Sequence, residues 1–172
     1  MRIAVVLFNL GGPDTQEAVR PFLFNLFNDP AIIRLPQPLR AMIAWLISTR
    51  REDKAKAIYQ KLGGGSPILK NTQAQAQALE AALHDIGEVK CFIAFRCWPP
   101  LLVDTAQVVE IFAPDQIILL PFYPQFSTTT TGSSLAEWEK CYPKMNTTKF
   151  IGCYPEEVGF IQSMADATRA AY

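Results

Sequence analysis

Residues 122–134 read FYPQFSTTTTGSS, the densest concentration of chemistry-bearing side chains in the sequence. Aromatic faces offer a flat apolar wall, and hydroxyls can hydrogen-bond a ligand or cap the helix expected from Ser133. Capping accounts for Ser133 and Ser134 but leaves five consecutive hydroxyl residues, 127–131, behind YPQF. Two glycine-rich breaks accompany this tract. One is Gly11-Gly12-Pro13. The other is Gly63-Gly64-Gly65-Ser66-Pro67, with more glycine than a turn needs and suited to close backbone approach to a flat ligand. Neither has the spacing of a dinucleotide or nucleoside triphosphate loop.

Other chemistries are poorly supplied. Cys91, Cys97, Cys141 and Cys153 are too far apart for a zinc or iron–sulfur site, and Cys91, within an apolar run, reads as a buried free thiol. The one histidine, His84, falls near the end of a polar helix, where a solvated or capping role is expected. Any triad chemistry would have to run through it.

Charge is balanced overall, 16 basic against 16 acidic residues, but it is not evenly spread. Residues 34–61 hold seven Lys/Arg and two acids, so a surplus of five positive charges there is offset by five negative ones elsewhere. The same stretch carries Met42, Trp45, Leu46 and Ile47, a composition suited to a membrane surface or to an amphiphilic ligand bearing carboxylates. Zero net charge argues against general nucleic-acid binding. The apolar runs 3–8 and 117–122 are too short to span a bilayer, and no cleavage site follows the first, so a cytoplasmic globular protein is expected.

The elements that must position these residues follow from hydrophobic pattern. Residues 2–10 form a nearly continuous apolar run, as in a strand buried on both faces. A helix capped by Asp14 or Thr15 should run towards Asn28, kinked or divided at Pro21. Residues 29–38 read as a loop, followed by helical segments 39–48 and 52–62. The helix at 72–86 precedes alternating segments: strand 89–98, helix 102–112, strand 115–123, helix 133–141, strand 149–154 and helix 156–171. Four strands with intervening helices imply an α/β fold, one parallel sheet with helices on both faces, in a single domain over residues 1–172. Ligand chemistry in such sheets belongs at the carboxyl ends of the strands: 9–13, 96–100, 122–131 and 154–156.

Four blocks in order, LFNLGGPDT (7–15), residues 50–67 with RR, Tyr59 and GGGSP, FRCWPP (95–100) and YPQFSTTTTGSSL (123–135), resemble ferrochelatases of the protoporphyrin type. That resemblance implies a chelatase-type, flavodoxin-like lobe, and a function of inserting Fe(II) into protoporphyrin IX in the last step of heme biosynthesis. Family members are about twice as long. The resemblance therefore implies an N-terminal, porphyrin-binding lobe, with the C-terminal lobe that carries the catalytic histidine and a later glutamate missing. No catalytic residue and no metal ligand is assigned in these residues, and the chain alone is expected to be inactive.

Carried over residue by residue, the porphyrin contacts are Arg51, Tyr59 and Ser66, with Arg50 a second candidate for a propionate or for a membrane-facing lip. Leu10 lies where members place a residue over the macrocycle, and Arg96 resembles an inner-site arginine. Cys97 and Pro99 stand where the family usually has tyrosine and histidine. The cluster-ligand position of the animal enzymes is Thr128, so no iron–sulfur cluster is expected, no permanently bound cofactor is implied, and Fe(II) enters as substrate. Expected partners are protoporphyrin IX and the missing lobe, with contact at the inner membrane face. The alternative is a half-size porphyrin carrier acting as a homodimer, and a third reading is an inert product that binds nothing.

Overall fold

The structure, a computed structural model, describes residues 1–142 and 145–172. Its centre is β1 (Arg2–Asn9), whose residues 3–8 are all buried, because both sheet faces are covered at this strand. To one side lies β2 (Glu88–Phe95), and to the other β3 (Gln116–Pro121) followed by the short β4 (Thr148–Phe150). The order is β2-β1-β3-β4 and every pairing is parallel, the flavodoxin-like arrangement in which the chain reverses direction of growth at β1/β3.

Among the described residues six α-helices surround the sheet: α1 (Val19–Phe27), α2 (Leu39–Lys61), α3 (Ile68–Ala82), α4 (Leu102–Phe112), α5 (Thr131–Cys141) and, after the last strand, α6 (Val158–Ala171). On one face Ala4, Val6 and Phe8 pack with α4 and α5 around Trp138, which lies between Phe8 and a stacked Tyr142. On the other, Ile3, Val5 and Leu7 meet α3 through Ala76 and Leu79. This second face is only partly covered: Ile118, Leu120 and Phe122 stay half-exposed, and α6 has no buried residue. The α1–α2 pair forms a third cluster above the carboxyl end of β1, joining Val19, Phe22 and Leu23 to Cys97.

Several expected boundaries move, each for a local reason. Thr15 Oγ1 accepts a 3.3 Å hydrogen bond from Ala18 N, but regular helix begins only at Val19. Pro21 thus sits in the first turn, where no intrahelical N–H is needed, and neither kinks nor divides α1. Residues 39–61 form one helix rather than two. Ser48 is buried with its hydroxyl bonded to Trp45 O, and Glu52 bridges Lys56 at 2.7 Å and Arg20 at 3.6 Å, so the polar stretch 48–52 continues the helix. Helix α3 starts four residues before the expected Thr72, directly after Pro67, and ends at Ala82. The last strand shrinks to three residues, with Lys149 and Phe150 exposed at the sheet edge.

Candidate functional site

The two glycine breaks are one structure. Ser66 N donates to Pro13 O at 2.7 Å, and Gln16 Nε2 donates to Gly64 O at 2.9 Å, which ties the loop after α2 to the loop after β1. The approach is too close for side chains. A Cβ on Gly12 would lie 2.6 Å from Ser66 Oγ, and one on Gly65 would run into the carbonyl of Asp14. Gly11, at φ +80°, turns the chain against Phe95 and Trp98 in the left-handed region that favours glycine.

Around this junction three of the candidate residues, Leu10, Tyr59 and Ser66, come together. Gly64 N donates to Tyr59 O at 3.0 Å, so Tyr59 and Ser66 are held by the same turn. Leu10 and Tyr59 pack in the α1–α2 cluster with Trp98, whose indole N–H donates to Asp14 at 3.1 Å. Burial raises the Tyr59 phenol above its usual range, which keeps it a neutral donor at physiological pH. Arg51, two turns earlier on α2, lies over the Phe27 ring at 5.5 Å. Among the described residues it has no acidic partner, and it borders a groove of about 260 Å³ with Lys54 and Ile58. Arg50 is exposed one position further round the helix.

Three of the four strand ends converge beside Ser66. Asn9, Phe122, Pro124 and Tyr154 line a cavity of about 450 Å³ whose other wall is the start of α3. It continues past Phe122 and Tyr154 into an open space of about 920 Å³ bordered by Cys153, Glu156 and Glu157. Tyr154 is fixed there by its phenol donating to Pro121 O at 2.7 Å.

Arg96 is not part of this gathering. Its guanidinium faces the α5 side, where Nε lies 2.9 Å from Ser133 Oγ and 3.1 Å from Asp29 Oδ2, and Nη2 lies 3.6 Å from Glu137. Ser133 Oγ in turn donates to Asp29 Oδ2 at 2.5 Å, and Asp29 is 3% exposed. Ser133 and Ser134 therefore do not cap α5. The helix begins two residues earlier, and the turn at its start is closed by Ser127 O, which accepts from Thr130 N and Gly132 N. Asp29 and Glu137 are the functional-looking polar residues that sequence reading missed, and Ser133, read as a cap, instead joins them. The only signal was one acid in a proline-rich loop.

The remaining candidates are placed as follows. Cys97 is 1% exposed among the α1–α2 side chains, and burial pushes its thiol up to about 12. Cys91, expected to be buried, is half-exposed under α3, because β2 is an edge strand. Burial holds its thiol at about 12 as well. Tyr123 has its phenol raised chiefly by burial, with the nearby Ser134 hydroxyl acting in the opposite direction. His84 is exposed, with Nδ1 2.8 Å from Ala81 O, just before β2 and so at the amino ends of the strands, opposite the cleft. Among the described residues no cluster of His, Cys, Asp and Glu could hold a metal ion, and no helix is long and apolar enough to cross a membrane.

An open parallel α/β sheet with a cleft beside a glycine-loop junction at its carboxyl edge defines the class: a binding or catalytic α/β protein of flavodoxin-like order. Sequence comparison gives the family. The ferrochelatase family model matches residues 2–172, and the chain belongs to the ferrochelatase family. It is 58% identical to a ferrochelatase of Caulobacter vibrioides over 174 residues, covering 99% of this chain and 50% of that protein. Ferrochelatases of Phenylobacterium zucineum and Pelagibacter ubique are each 53% identical, covering 100% and 95% of this chain and 51% and 49% of their own lengths. The chain thus spans about half the length of the curated relatives it matches. All three relatives are named as ferrochelatases, which gives no support to a half-size carrier.

Proposed function

We propose that residues 1–172 act as one α/β unit, the porphyrin-binding half of a ferrochelatase that inserts Fe(II) into protoporphyrin IX. The observation that carries this reading is the junction of the two glycine loops. It leaves an apolar and hydroxyl-lined surface beside Ser66, and two turns earlier on α2 stands Arg51, which makes no ion pair among the described residues.

In this reading the Arg51 guanidinium pairs with a propionate, and the neutral Tyr59 phenol and the Ser66 hydroxyl donate to the second carboxylate or its rim. Leu10 packs against the macrocycle, and as an aliphatic side chain it offers no iron ligand. Insertion takes two protons from the pyrrole nitrogens as Fe(II) enters. These residues supply binding and orientation, while the groups that accept the protons and deliver iron belong to the other half of the family's length. Arg96 serves the site indirectly, by holding the end of β2 through Asp29.

Peripheral membrane contact belongs to the same reading. Helix α2 exposes Met42, Trp45 and Leu46, and Arg50, Arg51 and Lys54 follow them. That pairing of apolar and cationic surface suits an anionic lipid headgroup layer.

The test is a fluorescence titration of protoporphyrin IX with the chain, its Ser66→Ala and Tyr59→Phe variants, and a parallel Fe(II)-insertion assay. Saturable binding weakened several-fold in both variants, with no turnover above the uncatalysed rate, is expected. Absence of saturable binding removes the porphyrin reading. Turnover by the chain alone removes the division of roles.

A further inference from the structure

A second cavity lies on the other side of the β2 end from Ser66, between α1, the loop after it and α5. Its volume is about 410 Å³ and its walls are dominated by charged and amide side chains: Asn28, Asp29, Arg40, Arg96, Glu137 and Lys140. The charges are unevenly satisfied. Arg96 is matched to Asp29 at 3.1 Å, and Glu137 shares one oxygen between Arg96 at 3.6 Å and Lys140 at 3.3 Å.

Arg40 has no such partner. One terminal nitrogen, Nη1, donates to Leu35 O at 2.9 Å, and among the described residues the guanidinium makes no ion pair. Its Nε is buried without an acceptor. A buried guanidinium N–H left without an acceptor is costly, more so than an ordinary neutral polar group. Three cations against two acids leave one positive charge in a space large enough for a small solute. Asn28 adds a neutral donor: its carbonyl oxygen is taken by Gln37 at 2.9 Å, leaving its amide N–H groups.

We propose that this cavity is a binding site for a small anion, a carboxylate or phosphate group, held by the Arg40 guanidinium with Lys140 and Asn28 at its edge. A guanidinium donates charge-assisted hydrogen bonds to such a group. The site is separate from the Ser66 cleft. Its occupant touches the side chains that fix Arg96, so binding stiffens the end of β2 from behind.

The experiment is isothermal titration of the chain with inorganic phosphate and, separately, with succinate, at constant ionic strength and pH 7. Saturable one-site binding by either probe is expected, and whichever binds more tightly identifies the chemical source. Arg40→Gln should weaken it about tenfold or more, and Lys140→Gln about threefold, the scale of a lost charge-assisted bond and of an exposed one. Lys70→Gln, on α3, should leave it unchanged. No saturable heat from either probe overturns the proposal and leaves the cavity to water. Unchanged affinity in Arg40→Gln overturns it as well. If Arg40→Gln fails to fold by circular dichroism, Lys140→Gln decides, since Lys140 is exposed on α5, and an unchanged affinity there counts against the site.

Discussion

Arg51 and Arg96 are the same residue type, both were expected to face porphyrin, and the fold treats them oppositely. Arg51 stands on α2 over a phenyl ring, making no ion pair among the described residues and with solvent on its outer side. Arg96 is enclosed by a carboxylate, a hydroxyl and a second carboxylate contributed by the loop after α1 and by α5. A cation with no partner of its own can take a ligand's carboxylate at little cost. One already matched within the protein must first give up buried interactions. The first arrangement is suited to binding and the second to holding two segments in register, a distinction that composition at positions 51 and 96 does not carry.

The harshest way to break this comparison is Asp29→Ala. It leaves Arg96 with its principal partner gone and Ser133 without its acceptor, and truncating one partner of a buried ion pair costs about 3–5 kcal/mol. Urea unfolding should show that loss. A change below about 1 kcal/mol would mean the network is surface decoration.

Next in size is Gly12→Ala, whose Cβ would press on Ser66 Oγ at 2.6 Å. A destabilisation of about 1–3 kcal/mol is expected from overpacking, together with loss of porphyrin binding as the Ser66 loop is displaced. Retained affinity would separate the glycine junction from the site.

Cysteine reactivity sharpens the difference between the two sides of β1. Cys153 is exposed on the open cleft, whereas Cys97 is enclosed and its thiol is held at about 12. An aromatic disulfide reagent at pH 8 should label Cys153 rapidly and Cys97 only on unfolding. Comparable rates would show the α1–α2 cluster to be open. Because the folded thiols of Cys91 and Cys97 sit near 12, above the usual 9, the stabilisation they report is complete below pH 9. It is lost as pH rises from 9 towards 12.

The smallest effect belongs to Arg50→Ala. Arg50 is exposed beyond Arg51 on the helix, so porphyrin affinity should fall by less than about twofold, while retention on anionic vesicles drops measurably. A loss matching that of Arg51→Ala would reassign the carboxylate contact.

Much of the fold was legible because β1 buries six consecutive apolar residues, a pattern with few alternatives, and because β3 is a second short apolar run. The two halves of α2 looked separate since residues 48–52 are polar, and only tertiary packing of Ser48 and the Glu52 bridges joins them. Arg51, Tyr59, Ser66 and Leu10 were found through sequence blocks, and the closeness of Leu10 and Tyr59 to Ser66 depends on the backbone bond from Ser66 to Pro13, which no side-chain pattern encodes. Asp29 was unreadable for a similar reason. Its partners Arg96 and Ser133 are 67 and 104 residues away, and a lone aspartate before a proline looks like an ordinary turn.

The measurement that bears most directly on the division between the two arginines is a protoporphyrin IX titration of wild type and Arg51→Ala, run beside their urea midpoints. The expected result is affinity reduced about tenfold with the midpoint unchanged, the signature of a lost charge-assisted contact to ligand alone. Equal affinity in the two proteins, or a lowered midpoint that accounts for the weaker binding, would contradict the assignment of Arg51 as the free cation of the site.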